Sequence, residues 1–157
     1  MKNILCPRKG FPLILFCLLS GFAIAQTSLT VGEVRNGVGV ITNLAAATAA
    51  LKGGLASTTK ISNLRIDWLG GTENQYYLVG NVDGPNIFAK AITLHKDGDR
   101  LSAVGGPGIT ITCTGVNCSK CDLFIKKGDW YCSACFENNN PPHQGHCDMA
   151  SKVYVGL

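Results

Sequence analysis

Six of the eight cysteines in this 157-residue chain fall between Cys113 and Cys147, and none lies between Cys17 and Cys113. Their order is Cys113-x4-Cys118-x2-Cys121-x10-Cys132-x2-Cys135-x11-Cys147, so two C-x-x-C pairs flank a ten-residue stretch. A segment this short cannot bury a core of its own. Its order therefore depends on sulfur, either in covalent pairs or around a metal.

The first 25 residues carry the pattern of an export signal. Lys2, Arg8 and Lys9 form a basic start, residues 11–19 are apolar, and Ala23-Ile24-Ala25 offers the small residues of a cleavage site. The mature chain is expected to begin at Gln26 and to be secreted or periplasmic. No apolar run reaches the roughly 18 to 20 residues of a membrane helix, so no span is expected after cleavage. Three basic residues leave with the signal. Eleven Lys and Arg then face ten Asp and Glu, and the formal charge falls from +4 to +1. A near-neutral chain has no long-range field for nucleic acid, and none is expected as a partner. What remains is an unknown protein or surface partner. An even number of cysteines in an oxidising compartment favours disulfides.

Between signal and cysteines the hydrophobic period changes once. Residues 42–51 read as a helix, with Thr42 or Asn43 as N-cap, Leu44, Ala47, Thr48 and Leu51 on one face, and Gly53-Gly54 as the stop. Residues 29–34 alternate weakly as an edge strand, and Gly37-Val38-Gly39 reads as a turn. Alternation then predicts strands over 61–69, 75–82, 87–95, 100–104 and 109–113, joined by Gly-, Asp- and Pro-rich turns. In the first of these, Leu64, Ile66 and Trp68 share one face and Arg65 and Asp67 the other. The expected architecture is α+β: over 26–112, one helix packed across a four- or five-stranded antiparallel meander. A cysteine-rich hairpin module, 113–157, follows it.

This arrangement over residues 42–112 is similar to the cystatin-like helix-on-sheet fold. Gln75-Tyr76-Tyr77-Leu78-Val79-Gly80 resembles that family's Gln-x-Val-x-Gly loop with one residue too many, and Trp68 lacks the proline that precedes the family's tryptophan. The resemblance would imply protease inhibition.

Within the cysteine tail, residues 122–125 and 130–131 read as hairpin arms around a turn at 126–129. Ile125 then faces Trp130 and Leu123 faces Cys132. Two chemistries fit. All six of Cys113, Cys118, Cys121, Cys132, Cys135 and Cys147 can pair as disulfides. Alternatively, Cys118, Cys121, Cys132 and Cys135 can enclose zinc, with His143 and His146 as further ligands. Gly128-Asp129-Trp130-Tyr131-Cys132-Ser133-Ala134-Cys135 with Asn139 resembles the first half of a Ran-binding-protein type zinc finger, which would imply a zinc ion and, in some members, single-stranded RNA. The second half is missing, since Asn140-Pro141-Pro142 and then His146-Cys147 stand where its cysteine pair belongs. Cys132-Ser133-Ala134-Cys135 also fits a thiol-disulfide oxidoreductase motif, but no helical pattern follows it. Residues 26–157 contain no H-E-x-x-H, G-x-S-x-G or Walker loop. The expectation is an exported, non-enzymatic binding or structural protein with a disulfide-stapled module. The alternatives are a zinc protein and a redox enzyme.

Overall fold

The computed structural model describes residues 28–71, 74–103, 108–135 and 145–154, and within them the chain forms ten strands and one helix. Asn36 and Gly37 both adopt positive φ, 51° and 80°, the requirement of a two-residue type I′ turn. They join β1 (Leu29–Arg35) to β2 (Val38–Ile41), and the register places Arg35 opposite Val38. The turn predicted at residues 37–39 is therefore one step earlier, and Val38 and Gly39 already belong to a strand.

Helix α1 (Leu44–Lys52) follows directly, capped by Asn43, whose Oδ1 accepts the Ala46 amide at 3.0 Å. Next come β3 (Lys60–Leu69), β4 (Gln75–Asp83), β5 (Ile87–Asp97) and β6 (Arg100–Ala103). Gly98, at φ 58°, takes the first central position of the two-residue β5–β6 turn. After β7 (Gly108–Val116), the short strands β8 (Leu123–Lys126) and β9 (Asp129–Cys132) form a hairpin, and β10 (His146–Tyr154) completes the described chain.

Strand β5 organises the sheet. One of its edges pairs with β4; the other pairs with β7 over its first half and with β6 at its end. The ladder continues from β6 to β1 and β2 in one direction, and from β4 to β3 in the other. β2 and β3 thus come side by side without a ladder between them. Six strands curl into a near-closed barrel, and β7 with β10 extends from β5 as a flange. All ladders are antiparallel.

This overturns the α+β expectation of a helix lying across one face of a meander. Helix α1 sits inside the curl: Ala47 and Leu51 are fully buried among Val31 of β1, Leu78 of β4, Leu94 of β5 and Leu101 of β6. Two physical reasons account for the difference. The β1–β2 hairpin, not recognised as such in the sequence, pairs with β6 and brings one end of the twisted sheet round toward β3. The alanine-rich helix is slim enough to settle into the hollow with Ala46, Ala47 and Leu51 buried, while Leu44, Ala45 and Ala49 stay exposed. Leu44, expected on the buried face, is 64% exposed, and Ala46 is buried instead.

Glycine makes the seam between β2 and β3 possible. A Cβ on Gly39 would overlap the Ile66 side chain of β3, and one on Gly32 would meet both Ile66 and the Val40 carbonyl. Trp68, two residues beyond Ile66, stays 53% exposed, its Nε1 donating to Asn74 Oδ1 at 3.0 Å.

The opposite face of the sheet carries a second core. Tyr77 and Val79 of β4, Ala89 and Ala91 of β5, and Ile111 and Cys113 of β7 are all 5% exposed or less. β4 is thus apolar on both sides, Tyr76 and Leu78 inward and Tyr77 and Val79 outward. Both faces need a cover.

Among the described residues, one cation is buried in the barrel. Lys90 of β5 is 6% exposed, and its Nζ donates to the carbonyls of Leu51 (3.0 Å) and Gly53 (2.5 Å) at the end of α1. It satisfies helix carbonyls and sits at the negative end of the helix dipole. Loss of solvent lowers its pKa from the ordinary 10.5.

Two outcomes are expected. Gly39→Val should cost about 1–3 kcal/mol in urea unfolding, and the cost should shrink in an Ile66→Ala background, where the overlapping atoms are gone. For Lys90, the unfolded chain holds more protons than the folded one between the lowered pKa and 10.5. Stability should therefore rise with pH through that interval and carry the full penalty of the buried charge below it. Lys90→Met should abolish this rise and, by orphaning two carbonyls, cost about 1–3 kcal/mol near neutral pH.

Candidate functional site

The cysteine segment supplies the outer cover. Lys127 and Gly128 take φ 53° and 84°, so β8 and β9 turn through a second type I′ pair. The register is Leu123↔Cys132, Phe124↔Tyr131, Ile125↔Trp130 and Lys126↔Asp129, as the spacing predicts. Leu123 and Trp130 turn inward and are buried. Trp130 meets Tyr77 edge to face, with ring centroids 5.1 Å apart at 77°.

Polar clamps hold the hairpin to the sheet. Arg65 of β3 donates to the Leu123 carbonyl at 2.6 Å while its Nε bonds Asp67 at 2.8 Å. Asn81 of β4 donates to Asp122 Oδ1 at 3.0 Å. At the base of the hairpin, the Ser133 amide donates to the Asp122 carbonyl and the Asp122 amide to Ser133 Oγ, at 2.8 and 2.9 Å. The face of β3 that looks polar in the sequence, Arg65 and Asp67, is thus the one the cysteine module covers.

Three disulfides join the six cysteines. Cys113 pairs with Cys132, Cys118 with Cys135, and Cys121 with Cys147, at Cα separations of 5.7, 5.5 and 6.1 Å. In chain order the first cysteine joins the fourth, the second the fifth and the third the sixth, so every bridge overlaps the other two. Cys113 lies in β7 and Cys147 in β10, whereas Cys118 and Cys121 lie in the connection before β8. The bridges tie the flange, that connection and the hairpin into one unit. The module is disulfide-stapled, which suits an oxidising, extracellular-type environment. Among the described residues no helix is long and apolar enough to cross a membrane.

The predicted zinc quartet is distributed differently from the sequence expectation. Cys132 and Cys135 bond to Cys113 and Cys118, and the sulfurs that gather within 4.8 Å of one another are those of Cys118, Cys121 and Cys147. All three are in disulfides, and metal binding requires thiolates. His143 lies outside the described residues. His146 is exposed, its Nε2 3.0 Å from Asp148 Oδ2. Cys132 and Cys135 do not bond to each other, and residues 133–135, which follow β9, are not helical.

Outside the module the structure gathers carboxylates that sequence distance conceals. Glu33, Asp97 and Asp99 line an open depression of about 440 Å³ with Arg100 and Thr42. Glu33 is ion-paired with Arg35. The turns at Asn36-Gly37 and Gly98-Asp99 are the signals that could have placed these residues together, through the β1–β6 ladder. On the outward side of the hairpin, Phe124 and Tyr131 stack with centroids 6.1 Å apart at 25°, and are 38% and 42% exposed.

Comparison with protein-family models, curated proteins and solved structures gives no match to this chain.

Reduction should strip the cover from the sheet. In a Trp68→Phe background, where Trp130 is the remaining tryptophan, adding reductant without denaturant should shift emission to the red and increase binding of an apolar dye as Tyr77 and Val79 become exposed. An unchanged spectrum would mean that the hairpin stays docked without its bridges.

Proposed function

We propose that this chain is an exported, non-enzymatic binding or structural protein, whose barrel is a rigid support and whose cysteine module is a stapled cover. The observation that carries this reading is the engagement of all six tail cysteines in overlapping bridges around a hairpin that packs on the sheet. Bridges of 17 to 26 residues' separation restrict the unfolded chain, each on the order of 3 kcal/mol in the chain-entropy account. Sulfur used in this way stabilises and does not react. A redox enzyme would instead join the two cysteines of one C-x-x-C motif and lower a thiol's pKa at a helix start. The Phe124–Tyr131 pair, held rigid on the outward face, is the part of the module best suited to touch a partner protein or surface. The zinc reading would draw on Cys118, Cys121 and Cys147, and only in a reduced chain.

Intact mass of the exported protein decides between these readings. The expected species begins at Gln26, lacks six hydrogens relative to the reduced chain and retains no metal under native conditions. A mass at the fully reduced value with a retained metal ion, released by chelator together with unfolding of residues 113–154, would replace the disulfide reading by the zinc one. Catalysed reduction of insulin would replace it by the redox one.

A further inference from the structure

A β-sheet that curls on itself hides its edges, but a flange does not. In this chain β2 and β3 face each other across the glycine seam, which leaves β10 as the open end of the ladder β3-β4-β5-β7-β10 among the described residues. β10 is nine residues long and pairs along its whole length with β7, from His146↔Val116 to Tyr154↔Gly108, with no bulge. A long, regular edge that carries no further ladder is a template for another strand, although the cysteine module touches the His146 and Asp148 carbonyls at its start. Natural edges are commonly blunted by proline, bulges or charge, and residues 146–154 (His-Cys-Asp-Met-Ala-Ser-Lys-Val-Tyr) have neither a proline nor a break in register, only the charges of Asp148 and Lys152.

The charges on this edge identify the strand that fits it. Asp148 and Lys152 lie on the same face of β10, two positions either side of Ala150, and both are exposed. We propose that β10 pairs antiparallel with β10 of a second copy of this chain, about a two-fold axis at Ala150. In that register Ala150 stands opposite its own copy, and Asp148 of each chain stands opposite Lys152 of the other, so two cross-strand ion pairs form together. Moving the axis to Met149 or Ser151 places neither charge opposite its complement on the other copy and leaves Asp148 only His146 of its own strand, at 3.0 Å. Moving it to Asp148 or Lys152 sets like charges face to face, which is destabilising. The strand is self-complementary in one register and penalised in the nearest competitors that retain a charge at the axis. The product is a closed, isologous dimer in which the five-stranded ladder β3-β4-β5-β7-β10 of one copy continues through its flange into that of the other. The disulfide between Cys121 and Cys147 anchors the start of β10, so its edge is presented already ordered and little conformational entropy is lost on pairing.

Sedimentation equilibrium of the oxidised, exported chain tests this, with expected mass twice that of one chain and falling to one on dilution. Asp148→Lys and Lys152→Asp should each weaken association at least about tenfold, because each turns two attractive pairs into two repulsive ones. The double variant carrying both reversals restores opposite charges and should restore the dimer, an outcome that a purely local role for either side chain would not give. Independently, Ala150→Cys should yield a disulfide-linked dimer whose cross-link maps to position 150 in both chains, since opposed Cα atoms in an antiparallel pair are roughly 4.5 to 5.5 Å apart, within disulfide reach. A monomer at all concentrations would overturn the proposal. So would a double reversal that fails to restore association, or an Ala150→Cys protein with no such cross-link.

Discussion

The structure turns on the burial of both faces of β4. Tyr76, Tyr77, Leu78 and Val79 are consecutive, and a strand points successive side chains to opposite sides, so no single layer can hide all four. Each large apolar side chain left in water forfeits about 1.5–3 kcal/mol. Two covers are therefore required, and the chain supplies them from opposite ends of its length. Helix α1 covers the inner side with Ala46, Ala47 and Leu51, in the hollow formed by strands β1 to β6, and keeps its other face in solvent. The cysteine hairpin closes the outer side by way of Leu123, Ile125 and Trp130.

The same requirement explains the disulfides. A four-residue by four-residue hairpin is marginal by itself, and its inward face offers only a few side chains to the sheet. The bridges reduce the entropy lost when it docks, while Arg65, Asn81 and Tyr77 determine where it docks. Sulfur and sheet are mutually dependent: Cys113 is part of the outer core and also one end of a bridge. Strand β7 carries the chain from the barrel into the module without interruption, so the residues on either side of Cys113 share one ladder.

Inside the barrel, space is the limiting quantity. Alanine on α1 and glycine at 32, 39 and 80 let the helix and the seam approach closely; a Cβ on Gly80 would lie 3.0 Å from Leu51. Lys90 occupies the one place where apolar filling would leave helix carbonyls unpaired. Its long aliphatic stem passes through the core while its ammonium group ends the helix. A lysine at that position reads in the sequence as an ordinary outward residue of an alternating strand, and only its distance to Leu51 and Gly53 shows otherwise.

Local chemistry was legible from the residues. Strands 61–69, 75–82 and 87–95 follow from alternation and turn residues, the helix start from the capping pair Thr42-Asn43, of which the structure uses Asn43, and the register of the β8–β9 hairpin from the count between Cys121 and Cys132. Those signals act over a few residues, which is why sequence alone resolves them. β2 was concealed because Gly37-Val38-Gly39 looks like a turn, whereas only Gly37 belongs to one and Gly39 serves close packing against Ile66. β10 was concealed because residues 146–152 have mostly exposed side chains and so lack an apolar period. Barrel closure, the inward place of α1, the disulfide partners and the carboxylates around the β1–β6 end were decided by tertiary structure alone. Each depends on which strands meet across tens of residues, and that is set by sheet twist and by competition for two apolar faces, neither of which any local pattern encodes.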